Sequence, residues 1–226
     1  MNGSKLIAAG VATFILAMSP NAAAKAPPAN WDGLVLTKSK QMDYVYLQPG
    51  ADFRGYTKVM LDPTEVAFRK NWQKEYNSTS RNLSGNISDR DVQDAVAEGI
   101  TKSSDIFAKA WEKGGYPIVS APGPDVLRVK TGILNITVSA PDRPTAGRSY
   151  TFADTAGQAT LIIEARDSMT GALLGRAVDT KIAGDNTVGW RSSVGNRADF
   201  RALVEQWARL SVNGVSELKA LSPLAP

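Results

Sequence analysis

Hydrophobic residues recur at helical spacing in two stretches of the chain. The first stretch follows Ser88, a candidate N-cap with Asp91 at the third position, and stops at Gly114. The second follows Asn196, which we predict as its N-cap. The apolar residues that share one face are Val92, Val96, Ile100, Phe107 and Trp111 in the first stretch, and Phe200, Leu203, Val204, Trp207 and Leu210 in the second. The pattern predicts two amphipathic helices.

Shorter apolar runs bounded by turn residues predict strands. Ala159 to Arg166 and Leu173 to Ile182 flank a short loop that ends in Gly171, which is typical of a β-hairpin. Within Val126 to Val138 the apolar residues change from odd to even positions. We therefore predict a bulge near Gly132 or a strand that is buried on both faces.

Other segments give weaker patterns. Lys58 to Leu61 and Thr64 to Phe68 predict strand interrupted by Asp62-Pro63, and because proline cannot donate to a ladder we expect an edge or bent strand. Residues 73–86 are polar and rich in Asn and Ser, which predicts a loop.

The order of these elements indicates the α+β class, with an antiparallel or mixed sheet and two helices packed on one face. We predict three parts: a signal peptide at 1–24, an irregular N-terminal segment at 25–57, and a single α+β domain at 58–222.

The first residues resemble an export signal. Leu6 to Met18 is an apolar run of about 13 residues, shorter than the roughly 20 that span a bilayer, and Ala22 to Ala24 supplies a cleavage site. We predict cleavage near Ala24 and a periplasmic or secreted product that does not span the membrane; an uncleaved N-terminal anchor is the alternative. No cysteine follows the apolar run, so we expect no lipidation.

Composition removes several kinds of chemistry. The 226 residues include no His and no Cys, which excludes Ser-His-Asp and Cys-His catalysis, disulfides and Cys/His zinc sites. The 26 Lys and Arg against 22 Asp and Glu are scattered, so we expect no nucleic-acid partner. We predict no metal and no cofactor.

Several blocks resemble a known bacterial envelope family. They are Tyr46 to Asp52, Tyr56 to Pro63, Tyr116 to Leu127 and Glu164 to Gly171, followed by the final helix with Trp207. Together they resemble the family called domain of unknown function 3313. The resemblance implies an envelope protein of unassigned activity, and this chain lacks the lipidated cysteine of the family's lipoproteins.

Three carboxylates in the predicted hairpin form one candidate site. Glu164, Asp167 and Asp179 could supply the paired acids that glycoside hydrolysis uses. The alternative is structural: Asp167 would bond its own turn, and Glu164 would form a cross-strand ion pair with Arg176.

Other candidate binding residues lie outside the hairpin. Tyr56, Asp62 and Arg128 are polar groups in or beside predicted strands, where Asp62 could bind a ligand or anchor a turn. Trp190 follows a flexible glycine and could contact a partner or close over the core. Further aromatic residues outside the helices are Trp31, Tyr44 and Tyr46, whereas Trp72, Trp111 and Trp207 are predicted core residues.

Two functions remain open from the sequence. The first is a non-enzymatic envelope protein that binds a partner protein or an envelope polymer. The alternative is a carboxylate-dependent hydrolase acting on envelope glycans, which needs two acidic side chains within about 5 to 9.5 Å in one cleft.

Overall fold

A computed structural model describes residues 26–79, 86–139, 150–153, 155–184 and 189–225, with the main chain alone at 150–153 and 189–194. The predicted signal peptide at 1–24 lies outside the described residues. Within the described part no helix has the length and hydropathy needed to cross a bilayer.

The described chain forms ten strands and three helices. The strands are β1 (Asn30–Trp31), β2 (Leu34–Thr37), β3 (Tyr44–Leu47), β4 (Lys58–Leu61), β5 (Glu65–Phe68), β6 (Val126–Val138), β7 (Tyr150–Ala153), β8 (Gly157–Asp167), β9 (Leu173–Ala183) and β10 (Gly189–Ser192). The helices are α1 (Trp72–Thr79), α2 (Asp89–Lys113) and α3 (Ser193–Leu221).

The main sheet has the strand order β1-β2-β3-β9-β8-β6-β4, and β5 also pairs with β6. Strands β4 and β5 run parallel to β6, while the other pairs are antiparallel. Strands β7 and β10 form a separate antiparallel pair. The predicted α+β class with a mixed sheet is therefore confirmed.

The predicted hairpin is β8–β9, and it lies at the centre of the sheet. The connecting turn places Gly171 at φ 73°, a left-handed conformation that glycine adopts without steric cost. In the resulting register Glu164 lies opposite Arg176 and Leu161 lies opposite Asp179. These two pairs point to opposite faces of the sheet, because side chains alternate along a strand.

Strand β6 contains the predicted change of face. Leu127, Val129 and Ile133 are buried in the core, and the register then shifts between Leu134 and Thr137. Asn135 takes a left-handed φ of 53° at this bulge, after which the even-numbered Ile136 is buried. The irregularity thus lies just beyond the predicted position at Gly132.

Helix α2 begins where the capping signal predicts. The Ser88 side chain accepts a hydrogen bond from the Asp91 amide at 3.2 Å, and the Asp91 carboxylate accepts one from the Ser88 amide at 2.8 Å. This reciprocal pair is a capping box.

The other two helices differ from the prediction. Residues 73–86, predicted as loop, include most of α1, whose Trp72 stacks on Phe68 at a centroid distance of 4.6 Å. Helix α3 begins at Ser193, before the predicted cap. Asn196 is buried instead, and its side-chain amide donates to the Ala156 carbonyl at 3.1 Å. Tertiary contacts decide both cases, since neither is visible in local periodicity.

The N-terminal segment is more regular than expected, because β1, β2 and β3 extend the main sheet. Asp43, which precedes β3, is hydrogen-bonded to β9. Its amide donates to Asp179 Oδ1 at 3.1 Å, and its carboxylate accepts from the Thr180 amide at 2.8 Å. The irregular conformation predicted for 25–57 is therefore wrong over these three strands.

The main core lies between one face of the sheet and the two long helices. Phe107 and Trp111 of α2 and Trp207 of α3 pack there against apolar residues of β6 and β8. A polar contact between helix and sheet lies in this core, where Trp207 Nε1 donates to Asp179 Oδ2 at 2.7 Å. Asp179 is fully buried, so the indole donor satisfies a carboxylate that water does not reach.

Two buried tryptophans make a matched test of this hydrogen bond. Trp207→Phe should lower the free energy of unfolding by about 1–3 kcal/mol more than Trp111→Phe does, because only the former leaves a buried carboxylate short of a donor. Trp111 is equally buried, and its indole nitrogen has no hydrogen-bond partner among the described residues. Urea unfolding of both variants measures the difference, and equal losses would contradict it.

Candidate functional site

The face of the main sheet opposite α2 and α3, here called the outer face, carries a cluster of charged side chains. Register places Lys130, Glu164, Arg176 and Tyr46 in one cross-strand line on this face. The core residue Leu161 lies on the opposite face, because an odd number of positions separates it from Glu164.

Glu164 is buried at the centre of the outer face, with 1% of its surface exposed. Its Oε1 accepts from Arg176 Nε at 2.9 Å and from Nη2 at 2.7 Å. Its Oε2 accepts from Arg166 Nε at 3.0 Å and from Nη2 at 2.7 Å. Both carboxylate oxygens are therefore occupied by guanidinium groups, which confirms the predicted cross-strand ion pair with Arg176 and adds a second arginine.

The cluster continues in both directions across the sheet. Arg166 lies directly opposite Arg128, whose Nε donates to the two oxygens of Asp62 at 3.0 and 3.1 Å. At the other end, Arg176 Nη1 lies 2.8 Å from Asp32 Oδ2, an ion pair without the alignment of a hydrogen bond. The resulting line, here called the charged row, consists of Asp62, Arg128, Arg166, Glu164, Arg176 and Asp32.

Solvent reaches the charged row unevenly. The side chains of Arg128 and Arg166 are 45% and 33% exposed, whereas that of Arg176 is 5% exposed. Trp31 covers Arg176, with its ring centroid 4.1 Å from the guanidinium carbon, and meets Tyr46 edge-on at 5.5 Å. The accessible cations of the row are therefore the neighbouring Arg128 and Arg166, and Asp32 is exposed at the other end of the row.

Asp62 also borders a groove of about 380 Å³ between the β4–β5 connection and α2. Hydroxyl groups line part of it: Thr64 and Thr131 bond each other at 2.8 Å, and the Thr64 amide donates to Ser104 at 3.0 Å. The end of the charged row at Asp62 is thus next to a small concave surface.

Tyr56 and Asp167 form a separate pair at the end of the hairpin, with the phenol donating to Asp167 Oδ2 at 2.9 Å. Burial and this hydrogen bond raise the pKa of Tyr56 to about 12. Donation from the Thr170 amide lowers the pKa of Asp167, whose Oδ1 also accepts from the Met169 amide. Asp167 therefore hydrogen-bonds the main chain of its own turn, which is the structural alternative given in the sequence analysis.

The three carboxylates considered for hydrolysis do not converge. Glu164 lies on the outer face, Asp179 lies on the helix-covered face beside Trp207, and Asp167 lies at the hairpin turn. No group of three or more acidic side chains in the described part of the chain is arranged to hold a metal ion. The hydrolase hypothesis therefore loses the acid pair on which it depended.

The remaining predicted residues divide as follows. Asp62 and Arg128 bind each other, and Asp62 follows β4, whose Met60 lies opposite Arg128. The main chain of Trp190 pairs with Phe152 in the β7–β10 ribbon, and its side chain is outside the described part. Sequence reasoning missed Arg166 and Asp32; the alternation of Glu164 and Arg166 along one strand is the signal that could have indicated the former.

Arg176 and Arg128 differ in burial, so their replacement should change the free energy of unfolding by different amounts. Arg176→Met leaves Glu164 buried with one guanidinium fewer and should cost about 3–5 kcal/mol of unfolding free energy. Arg128→Met removes a half-exposed pair with Asp62 and should cost less than about 1 kcal/mol. Chemical unfolding of both variants measures these costs, and similar values for the two would refute the assignment of Glu164 as the buried centre.

Comparison with known proteins gives a family and several similar structures. No curated protein matches the chain. Among solved structures, the PelC dodecamer from Paraburkholderia phytofirmans is 13% identical, over 80% of this chain and 98% of that chain, with a TM-score of 0.33. A DUF4136 family protein from Bacteroides thetaiotaomicron is 10% identical, over 83% of this chain and 98% of that chain, with a TM-score of 0.35.

The family model described as "Protein of unknown function (DUF3313)" matches residues 29–211. This range includes the charged row and both long strands of the central hairpin. The resemblance that the strand and turn blocks indicate is thus confirmed, and the chain belongs to the DUF3313 family.

Proposed function

We propose that this protein is an exported, non-enzymatic protein of the bacterial cell envelope that binds a partner through the charged row on its outer face. The observation that carries the proposal is the pair of neighbouring, partly exposed arginines, Arg128 and Arg166. The partner is a protein or an envelope polymer that presents anionic groups.

The position of the two arginines favours recognition over stability. Like charges directly opposite each other on neighbouring strands destabilise a sheet. Here Asp62 and Glu164 approach the guanidinium groups and offset part of this repulsion. An anionic group of a partner would offset more of it, and arginine is enriched at the energetic centres of protein interfaces.

The export part of the proposal rests on residues 1–24. The apolar run and the alanines after it suit cleavage near Ala24, which would release the remainder to the periplasm or the exterior. We further propose that the product carries no lipid, since no cysteine follows the apolar run.

A binding role also fits the hydrogen bonding of Glu164 and Asp179. Glu164 has both oxygens engaged by arginines, and Asp179 receives the Trp207 indole and the Asp43 amide. Both carboxylates thus have their partners within the protein, which fits a structural role.

Affinity capture from envelope extract tests the proposal. The tagged protein should retain a reproducible partner, and Arg128→Ala should reduce its capture about tenfold, equivalent to the loss of roughly 1.4 kcal/mol of binding free energy. Arg201→Ala is the matched control, because Arg201 forms a comparable exposed ion pair with Glu205 on α3.

Quantitative mass spectrometry of the captured material decides between the outcomes. A partner lost with Arg128→Ala and kept with Arg201→Ala supports the outer face as the binding surface. Absence of any reproducible partner, or equal capture by both variants, would count against the proposal.

A further inference from the structure

The N-terminal strand β1 covers the buried end of the charged row and has few main-chain bonds to the sheet. It has two residues, paired as Asn30 with Val35 and Trp31 with Leu34. One more main-chain bond joins the Leu36 amide to the Ala29 carbonyl at 2.9 Å. Pro27 and Pro28 precede it and have no amide proton, so the strand cannot extend in that direction by donating further ladder bonds.

The residues beneath β1 are buried although they lie outside the main core cluster of the described residues. Leu34 is 0% exposed, Tyr46 is 1% exposed and Arg176 is 6% exposed. They form a buried patch, here called the pocket, which combines apolar surface with one guanidinium group and is covered by Trp31. Trp31 and Asp32 are the residues of β1 and its turn that contact the guanidinium.

Trp31 and Asp32 contact this pocket as a ligand would. The indole ring lies over the Arg176 guanidinium at 4.1 Å, and the Asp32 carboxylate lies 2.8 Å from Nη1. Stacking on an aromatic face and pairing with a carboxylate are the two interactions to which an arginine side chain is best suited. The arrangement can therefore recognise an aromatic residue that is followed by an acidic one.

The contact between Asp32 and Arg176 is weak. The side chain of Asp32 is 59% exposed, which limits the strength of its ion pair. Asp32 and Gly33 both have left-handed φ angles, 54° and 84°, which form the tight turn that folds β1 back onto β2. Strand β1 is therefore held by two paired residues, one further main-chain bond and the contacts of Trp31 and Asp32.

We propose that the β2 edge and the pocket around Arg176 bind an extended segment of a partner protein that contains an aromatic residue followed by an acidic one. In the free protein the chain's own Trp31-Asp32 occupies this site. The partner segment would replace β1, pairing its main chain with β2 as an added strand and placing its carboxylate on Arg176. This inference rests on the proposed binding function and names the partner as protein.

A synthetic peptide with the sequence of residues 26–33, Ala-Pro-Pro-Ala-Asn-Trp-Asp-Gly, tests the pocket directly. The full chain, expressed with its own leader, is prepared in wild-type form and as Trp31→Ala. Isothermal titration calorimetry should show binding to the variant that is at least about tenfold tighter than to the wild type, where the attached β1 competes for the site.

Changes in the peptide provide controls that leave the fold of the protein unaltered. Replacing the peptide's Trp with Ala should abolish binding, and replacing its Asp with Asn should weaken binding several-fold. Absence of binding to a Trp31→Ala protein with native circular dichroism would overturn the inference, as would equal affinity for all three peptides.

This assay and the capture experiment fail independently. A captured partner that depends on Arg128, together with no peptide binding, would leave the proposed function standing and remove this site. Peptide binding without any captured partner would support this site and count against the proposed function.

Discussion

Glu164 is a carboxylate buried at the centre of the sheet, and its ion pairs with Arg176 and Arg166 constrain much of the surrounding structure. A buried charge without partners is costly, so the register that brings Arg176 of β9 opposite Glu164 of β8 is strongly favoured. A slip of one residue between β8 and β9 would place Glu164 and Arg176 on opposite faces of the sheet. The pairing thereby helps to determine which face of the hairpin receives the helices.

The two faces of the sheet consequently have different chemistry. On one, apolar residues and the Trp207–Asp179 hydrogen bond join the helices to the strands. On the other, side chains from five separate segments contribute to the charged row, from Asp62 after β4 to Asp32 beside β1. The division leaves arginine side chains accessible on the side that α2 and α3 do not cover, which is why we place recognition there.

Local signals predict the hairpin and α2, because alternation, turn residues and the Ser88 cap are properties of neighbouring residues. They do not predict α1 or the strands β1 to β3, which depend on distant partners such as Asp43 with Asp179. The same limit applies to the site: Asp62, Arg128 and Glu164 are recognisable as candidates in the sequence. Their arrangement in one row depends on register across β6, β8 and β9.

Hydrogen exchange of the full chain, resolved to single amides, tests most directly whether β1 is a loosely held cover on a rigid sheet. If β1 opens locally, the Leu36 amide, bonded to Ala29, exchanges far faster than the amides of Ile162 and Val178 in the central hairpin. Equal protection of these three amides would mean that β1 opens only when the whole domain unfolds, and would contradict a displaceable β1.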